Sequence, residues 1–139
     1  MEPAGPGAID RQVIQAYGNR RFRISATVYE GSVLVFPERT VRWPVAAIAE
    51  ITVEELIASL SPVLEAPPPG SPGSEAGARP DILLIGCGKR IEPLHAELRA
   101  RFREAGVAVE VMDTGAACRT YNVLVAEDRL VAAALIAVE

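Results

Sequence analysis

Two short stretches of the sequence hold most of the residue types that do chemistry: Gly86-Cys87-Gly88-Lys89, and DTGAACRTYN from Asp113 to Asn122. The second opens with Asp113-Thr114-Gly115, the triplet that carries a catalytic carboxylate in aspartic proteases. It then gathers a thiol, a guanidinium, two hydroxyls and a carboxamide in Cys118, Arg119, Thr120, Tyr121 and Asn122. An aspartic protease needs two such carboxylates sharing one proton, and this sequence has a single Asp-Thr-Gly. Asp113 or Thr114 therefore reads better as a helix N-cap, its side chain accepting from orphan N–H groups.

Each remaining group has a chemical reading and a structural one. A thiol near a helix N-terminus beside an arginine can have a lowered pKa, which would make Cys118 a nucleophile. A nucleophile needs a base, and the sole histidine, His95, is expected in the first turn of the preceding helix. Cys87 and Cys118 would form a redox pair if the two loops met; free cysteines otherwise serve as small buried hydrophobes. Arg119 suits bidentate binding of a carboxylate or phosphate. Tyr121 and Asn122 either complete a pocket or stitch helix to strand ends, and spacing leaves both open. In the first stretch, Gly86 and Gly88 would let backbone approach an anion, with Lys89 supplying charge. There is no third glycine at dinucleotide-fingerprint spacing and no complete Walker A motif, so no cofactor is expected. The structural reading is a tight turn above a packed helix.

The elements that position these loops are legible. DILLIG (residues 81–86) is a continuous apolar run, the mark of a strand buried on both faces. Pro93 suits the first turn of a helix whose apolar stripe is Leu94, Leu98 and Phe102, ending at Gly106. VAVEVM (residues 107–112) is the next strand, so the two strands should be parallel with a right-handed crossover. A helix follows from the Asp113 region, with Ala117, Tyr121, Leu124 and Val125 on one side, and residues 130–138 close the chain as a buried strand. Parallel sheets bind ligands at the carboxyl ends of their strands, which is where both loops fall.

The first third reads as β. Residues 13–17, 22–25, 27–29 and 33–37 suggest a meander of short antiparallel strands, and TVRWPV (residues 40–45) an edge strand interrupted by Pro44. Residues 51–66 form a helix started by a Thr52/Glu55 capping box. Residues 67–80 are Pro/Gly/Ser-rich and read as a mobile surface loop, and residues 1–8 as a flexible N-terminus. The expectation is a single domain over 1–139: three-layer α/β, with a mixed central sheet, a β-rich N-terminal layer and a C-terminal β-α-β-α-β unit.

Composition narrows the function classes. The 139 residues are 50% hydrophobic and carry a net charge of −4, so no basic footprint for nucleic acid exists. Arginines at 20, 21, 23 and at 99, 101, 103 are local clusters, the second sharing a helix with Glu97 and Glu104. The two cysteines make neither a disulfide framework nor a zinc spacing. No apolar run approaches the ~18 residues of a membrane span. A soluble protein in a reducing compartment is expected.

Three stretches in order carry a family resemblance: FRISATVYEGSVLVFP (22–37), ILLIGCGK (82–89) and VEVMDTGAACRTYNVLVAEDRLVAAALIAV (109–138). They resemble a family of small domains of unknown biochemical activity. Its mitochondrial members include assembly factor three of complex I (NADH:ubiquinone oxidoreductase); another is the adipogenesis-associated domain protein. The likeness spans the chain apart from the 67–80 loop. It implies a compact three-layer α/β domain, no established catalysis, and protein partners such as membrane-complex subunits or assembly factors. The residues it carries over are Gly86, Gly88, Asp113, Thr114, Ala117, Cys118, Arg119, Thr120, Tyr121 and Asn122; Cys87 stands where the family pattern suggests threonine. The lack of a mitochondrial presequence suggests a bacterial, cytoplasmic member, with a peripheral position on the inner membrane as one variant. The expectation is a non-enzymatic interaction domain whose contact surface is the cleft between loops 86–89 and 113–122. The alternative is a binder of anionic small molecules, or a cryptic enzyme, with the anion on the Gly86–Lys89 backbone and Arg119. A third reading makes the motif purely structural.

Overall fold

The computed structural model describes residues 11–74 and 77–139, so the N-terminus expected to be flexible lies outside the described residues. The chain runs β1 (Ile14–Gly18), β2 (Arg21–Ile24), β3 (Thr27–Glu30), β4 (Val33–Val35), β5 (Thr40–Arg42), a 3-10 turn (Ile48–Glu50), α1 (Val53–Ser59), α2 (Ser61–Glu65), β6 (Ile82–Gly86), α3 (Ala96–Glu104), β7 (Ala108–Met112), α4 (Thr114–Ala126) and β8 (Val131–Leu135).

Five strands form the central sheet in the order β5-β4-β8-β6-β7, with β6 parallel to both β7 and β8, and β4 antiparallel to β5 and β8. The sheet is mixed, as the sequence suggests. Alternation sends Leu83, Ile85, Val109 and Ala134 to one face, where they join Leu56, Leu60, Leu98 and Phe102 from α1 and α3 and the residue after α1. Leu84, Ala133, Leu135, Val33 and Val35 point to the other face, where α4 supplies Ala117, Tyr121 and Val125 and the β1-β2-β3 sheet supplies Ile14, Phe22 and Ile24. Leu98 and Phe102, four residues apart on α3, are fully buried; each contributes roughly 2 kcal/mol of apolar burial.

The structure corrects several sequence expectations. β4 does not continue the meander: it crosses into the central sheet between β5 and β8. Gly31, at φ +83°, redirects the chain there, and all three β4 residues are buried, the pattern of a central strand rather than a half-exposed one. The 51–66 helix is two helices meeting at Leu60 (φ −95°, ψ 8°), because Pro62 in the first turn of α2 has no N–H to continue the α1 ladder. The Thr52/Glu55 capping box is present as expected. α3 starts at Ala96, not at Pro93, which makes His95 its N-cap, without a side-chain cap bond. β5 stops at Arg42, two residues before Pro44, and β8 stops at Leu135. The 67–80 loop is closed at its base by the Arg79 N–H donating to the Pro67 carbonyl at 2.7 Å.

Candidate functional site

Parallel pairing of β6 with β7 and β8 brings the two chemistry-bearing loops side by side at the carboxyl ends of these strands. They are zipped together there. The Thr114 N–H donates to the Gly88 carbonyl (2.8 Å), the Gly88 N–H donates to Thr114 Oγ1 (2.9 Å), and the Thr114 hydroxyl donates to the Ile136 carbonyl (2.8 Å). The Cys87 N–H donates to the Met112 carbonyl and the Ile136 N–H to the Gly86 carbonyl, each at 2.9 Å. Thr114 is fully buried. Gly88 turns at φ +100°, in the left-handed region that favours glycine. At Gly86 the requirement is space, since a Cβ would lie 2.9 Å from the Thr114 Cα. The backbone donors at Cys87 and Gly88 that an anion would use are thus already bonded within the protein.

The rest of the motif is similarly engaged. Asp113 caps α4, its carboxylate accepting from the Ala116 N–H at 2.8 Å. Asn122 reads the backbone of Ile14 from both sides: Oδ1 accepts from its N–H (3.0 Å) and Nδ2 donates to its carbonyl (2.8 Å). It fastens β1 to α4 as a strand would. Thr120 is half-buried, and Arg119 is exposed.

The thiol readings do not survive the geometry. Cys87 belongs to the cluster on the α3 face of the sheet and Cys118 to the cluster on the α4 face, so the sheet separates them and no redox pair forms. His95, capping α3, is likewise across the sheet from Cys118. Nor is Cys118 activated: burial outweighs the Arg119 charge and pushes its pKa from an ordinary 9.0 up to about 12. Burial raises Cys87 as well. A thiol that holds its proton more tightly when folded contributes stability that is complete below the unfolded value and lost as pH rises toward the folded one. The urea midpoint should therefore fall between pH 9 and about 12, and fall less in Cys118→Ala. Equal slopes for the two proteins would contradict this assignment.

Tyr121 is fully buried, and among the described residues its hydroxyl has no hydrogen-bond partner. Burial, with Glu38 adding to it, pushes its pKa upward. A buried hydroxyl without a partner costs roughly 1–3 kcal/mol. Tyr121→Phe should thus be neutral or raise stability by about 1 kcal/mol, read from urea unfolding. A loss above that amount would mean that the hydroxyl holds a bond, for instance through a buried water.

The open surface lies beside the clamp. A groove of about 730 Å³ runs between the Arg42–Ile48 segment on one side and Cys87, Gly88, Lys89 and Glu92 on the other, with Ile136–Glu139 between them. Cys87, Gly88 and Lys89 are the residues singled out from the sequence that border it; none of Asp113 to Asn122 does. Its apolar lining includes Val45, Ile48 and Ile136, and Arg42 and Lys89 are exposed at its rim. The 42–48 wall is the part sequence reasoning missed. Its signal was Pro44: β5 cannot continue past it, the chain peels away from the sheet, and a gap opens beside the end of β8. Among the described residues no three potential metal ligands cluster.

Residues 14–136 match a family described as "Protein of unknown function (DUF498/DUF598)". The chain belongs to that family. As a DUF498/DUF598 domain it is 39% identical over 124 residues to NADH dehydrogenase (ubiquinone) 1 alpha subcomplex assembly factor 3 of Danio rerio, covering 89% of this chain and 63% of that protein. The domain therefore spans about three fifths of that relative's length. It is 32% identical over 136 residues to an uncharacterised protein of Rhodobacter capsulatus, covering 98% of this chain and 93% of that protein. The solution structure of a Bordetella pertussis protein described as an Mth938-like domain superposes with a TM-score of 0.72 at 34% identity, covering 97% of this chain and 91% of that one. The fold is thus that of the solved Mth938-like domain. No helix among the described residues is long and apolar enough to cross a membrane.

Proposed function

We propose that this DUF498/DUF598 domain is a non-enzymatic interaction module of the assembly-factor type, which holds a segment of a partner protein in the groove between residues 42–48 and 87–92. The observation that carries this reading is an open, apolar-lined groove next to a motif whose polar groups are spent internally. Asp113, Thr114 and Asn122 bond to backbone, and Cys118 and Tyr121 are buried, so these motif residues offer no free acid–base pair. A relative named as a complex I assembly factor supports partners among the subunits or assembly factors of a membrane-bound respiratory complex. On this reading the protein works in the cytoplasm at the membrane face. The test is affinity purification of the tagged chain from its native cells, with detergent-solubilised membranes, beside an Arg42→Glu/Lys89→Glu variant. The proposal expects such subunits with the wild type and their loss with the variant. Equal recovery from both proteins, or no specific partner, would overturn it.

The groove volume favours a second reading. About 730 Å³ lies within the range of roughly 300–1,000 Å³ typical of small-molecule sites; an anion would have to sit at Arg42 and Lys89, away from Glu30, Glu50, Glu92 and Glu139, which also line the groove. Thermal stabilisation by dicarboxylates, phosphate or nucleotides, lost in the same variant, would favour it.

A further inference from the structure

The five-stranded sheet ends on β5 at one edge and β7 at the other. β5 is three residues long and is followed by Pro44, so it offers little to a new strand. β7 is five residues long and pairs inward through alternate residues: the Ala108 N–H donates to the Asp81 carbonyl (2.8 Å) and the Met112 carbonyl accepts from the Cys87 N–H (2.9 Å). Strand geometry turns the backbone groups of Val109 and Val111 the opposite way, toward the open edge. One side chain covers part of it: Arg99 Nη1 donates to the Val109 carbonyl at 2.6 Å. Among the described residues, the N–H groups of Val109 and Val111 and the Val111 carbonyl have no partner. A cleft of about 440 Å³ follows this edge.

Charge is divided across the edge. Val109 and Val111 face the α3 side, where Arg99 and Arg103 border the cleft; two carboxylates, Asp81 and Glu110, also line it, Glu110 from the edge strand itself. Met112 faces the α4 side, and Glu110, two residues before it, shares that face and is exposed. Among the described residues none of Arg99, Arg103 and Glu110 is in an ion pair. A second copy of the chain fits this pattern badly. Antiparallel pairing of two β7 edges about a two-fold axis keeps both α3 helices on one side, setting arginines against arginines and Glu110 against Glu110.

We infer that β7 is a docking edge for an extended segment of a different polypeptide, one with acidic side chains on the side facing α3. The segment adds as a sixth strand, bonds to Val109 and Val111, and displaces Arg99 from the Val109 carbonyl to pair with its carboxylates. This edge is separate from the 42–48/87–92 groove, so the two surfaces can fail independently.

The test uses the full chain, nitrogen-15 labelled, with two short synthetic strand peptides: Thr alternating with Glu, and Thr alternating with Lys. Amide hydrogen exchange is followed at Val109 and Val111. The Glu peptide is expected to slow both amides by roughly ten-fold or more and the Lys peptide to leave them nearly unchanged, with the preference reversed in Arg99→Glu/Arg103→Glu. The inference is overturned if neither peptide slows exchange, if both do so equally, or if protection grows with protein concentration alone, which would signal a second copy.

Discussion

Thr114→Val is expected to lower the unfolding free energy by about 3 kcal/mol. Valine keeps the volume and removes the hydroxyl. That hydroxyl accepts from the Gly88 N–H and donates to the Ile136 carbonyl, and Thr114 is fully buried. Removing it leaves one buried donor and one buried acceptor unpaired, each costing about 1–3 kcal/mol. The measurement is urea unfolding, where the midpoint should drop with little change in slope. Thr114→Ser keeps the hydroxyl and gives up one methyl, so it should cost only about 1 kcal/mol. If valine and serine behave alike, the two hydrogen bonds are not what joins these loops. Hydrogen exchange at the Gly88 amide gives a local readout: it should speed up in Thr114→Val and stay slow in Thr114→Ser.

Gly86→Ala is expected to cost about 2–3 kcal/mol by a different route. Gly86 is the last residue of β6, held between β8 and β7. An added Cβ would sit 2.9 Å from the Thr114 Cα and 3.1 Å from Leu135 Cδ2. Leu135 can rotate; a backbone Cα cannot. The first turn of α4 must then move off the sheet, stretching the bonds that Thr114 makes to Gly88 and Ile136. The two substitutions should therefore be non-additive, with the Thr114→Val/Gly86→Ala double variant losing less than the sum of the singles. Full additivity would show that the steric contact and the hydrogen bonds act separately.

Much of the fold was legible because its central parts are locally encoded. ILLIG and VAAAL read as buried strands whatever they pair with, Leu98 and Phe102 mark the α3 stripe, and Thr52 and Asp113 announce helix starts. The position of β4 was not legible. It pairs with β8 about a hundred residues away, Val33 opposite Leu135, and no local period encodes that partner. The helical stretch at 51–66 is marked by its capping box, but it breaks at Leu60 into two helices, and Pro62 is the local sign of that break.

The motif was legible as a place and less so as chemistry. Gly86–Gly88 and Met112–Thr114 meet at the strand ends, as a β-α-β unit dictates, while the stretch from Ala117 to Asn122 runs on along α4. Residue types alone do not say which donors are already taken. The carboxamide of Asn122 is used by Ile14, a residue more than a hundred positions earlier, and the hydroxyl of Thr114 by two segments that meet only in the folded chain. A cysteine beside an arginine suggested a lowered pKa; burial reverses the sign. The groove was hidden for a related reason. It exists because β5 stops before Pro44, and its lining comes from five separated stretches of sequence.

The most direct test of the interaction reading is site-specific photo-crosslinking in native cells, with a photoreactive amino acid at Lys89 in the groove rim and, in a second strain, at Val123 on the outer surface of α4. Both positions are exposed. The account predicts discrete crosslinks from position 89 to a subunit or assembly factor of a membrane-bound respiratory complex, and none to the same protein from position 123. Crosslinks to that protein from 123 and not from 89, or none at 89 while the tagged chain still recovers it, would contradict the groove as the contact surface.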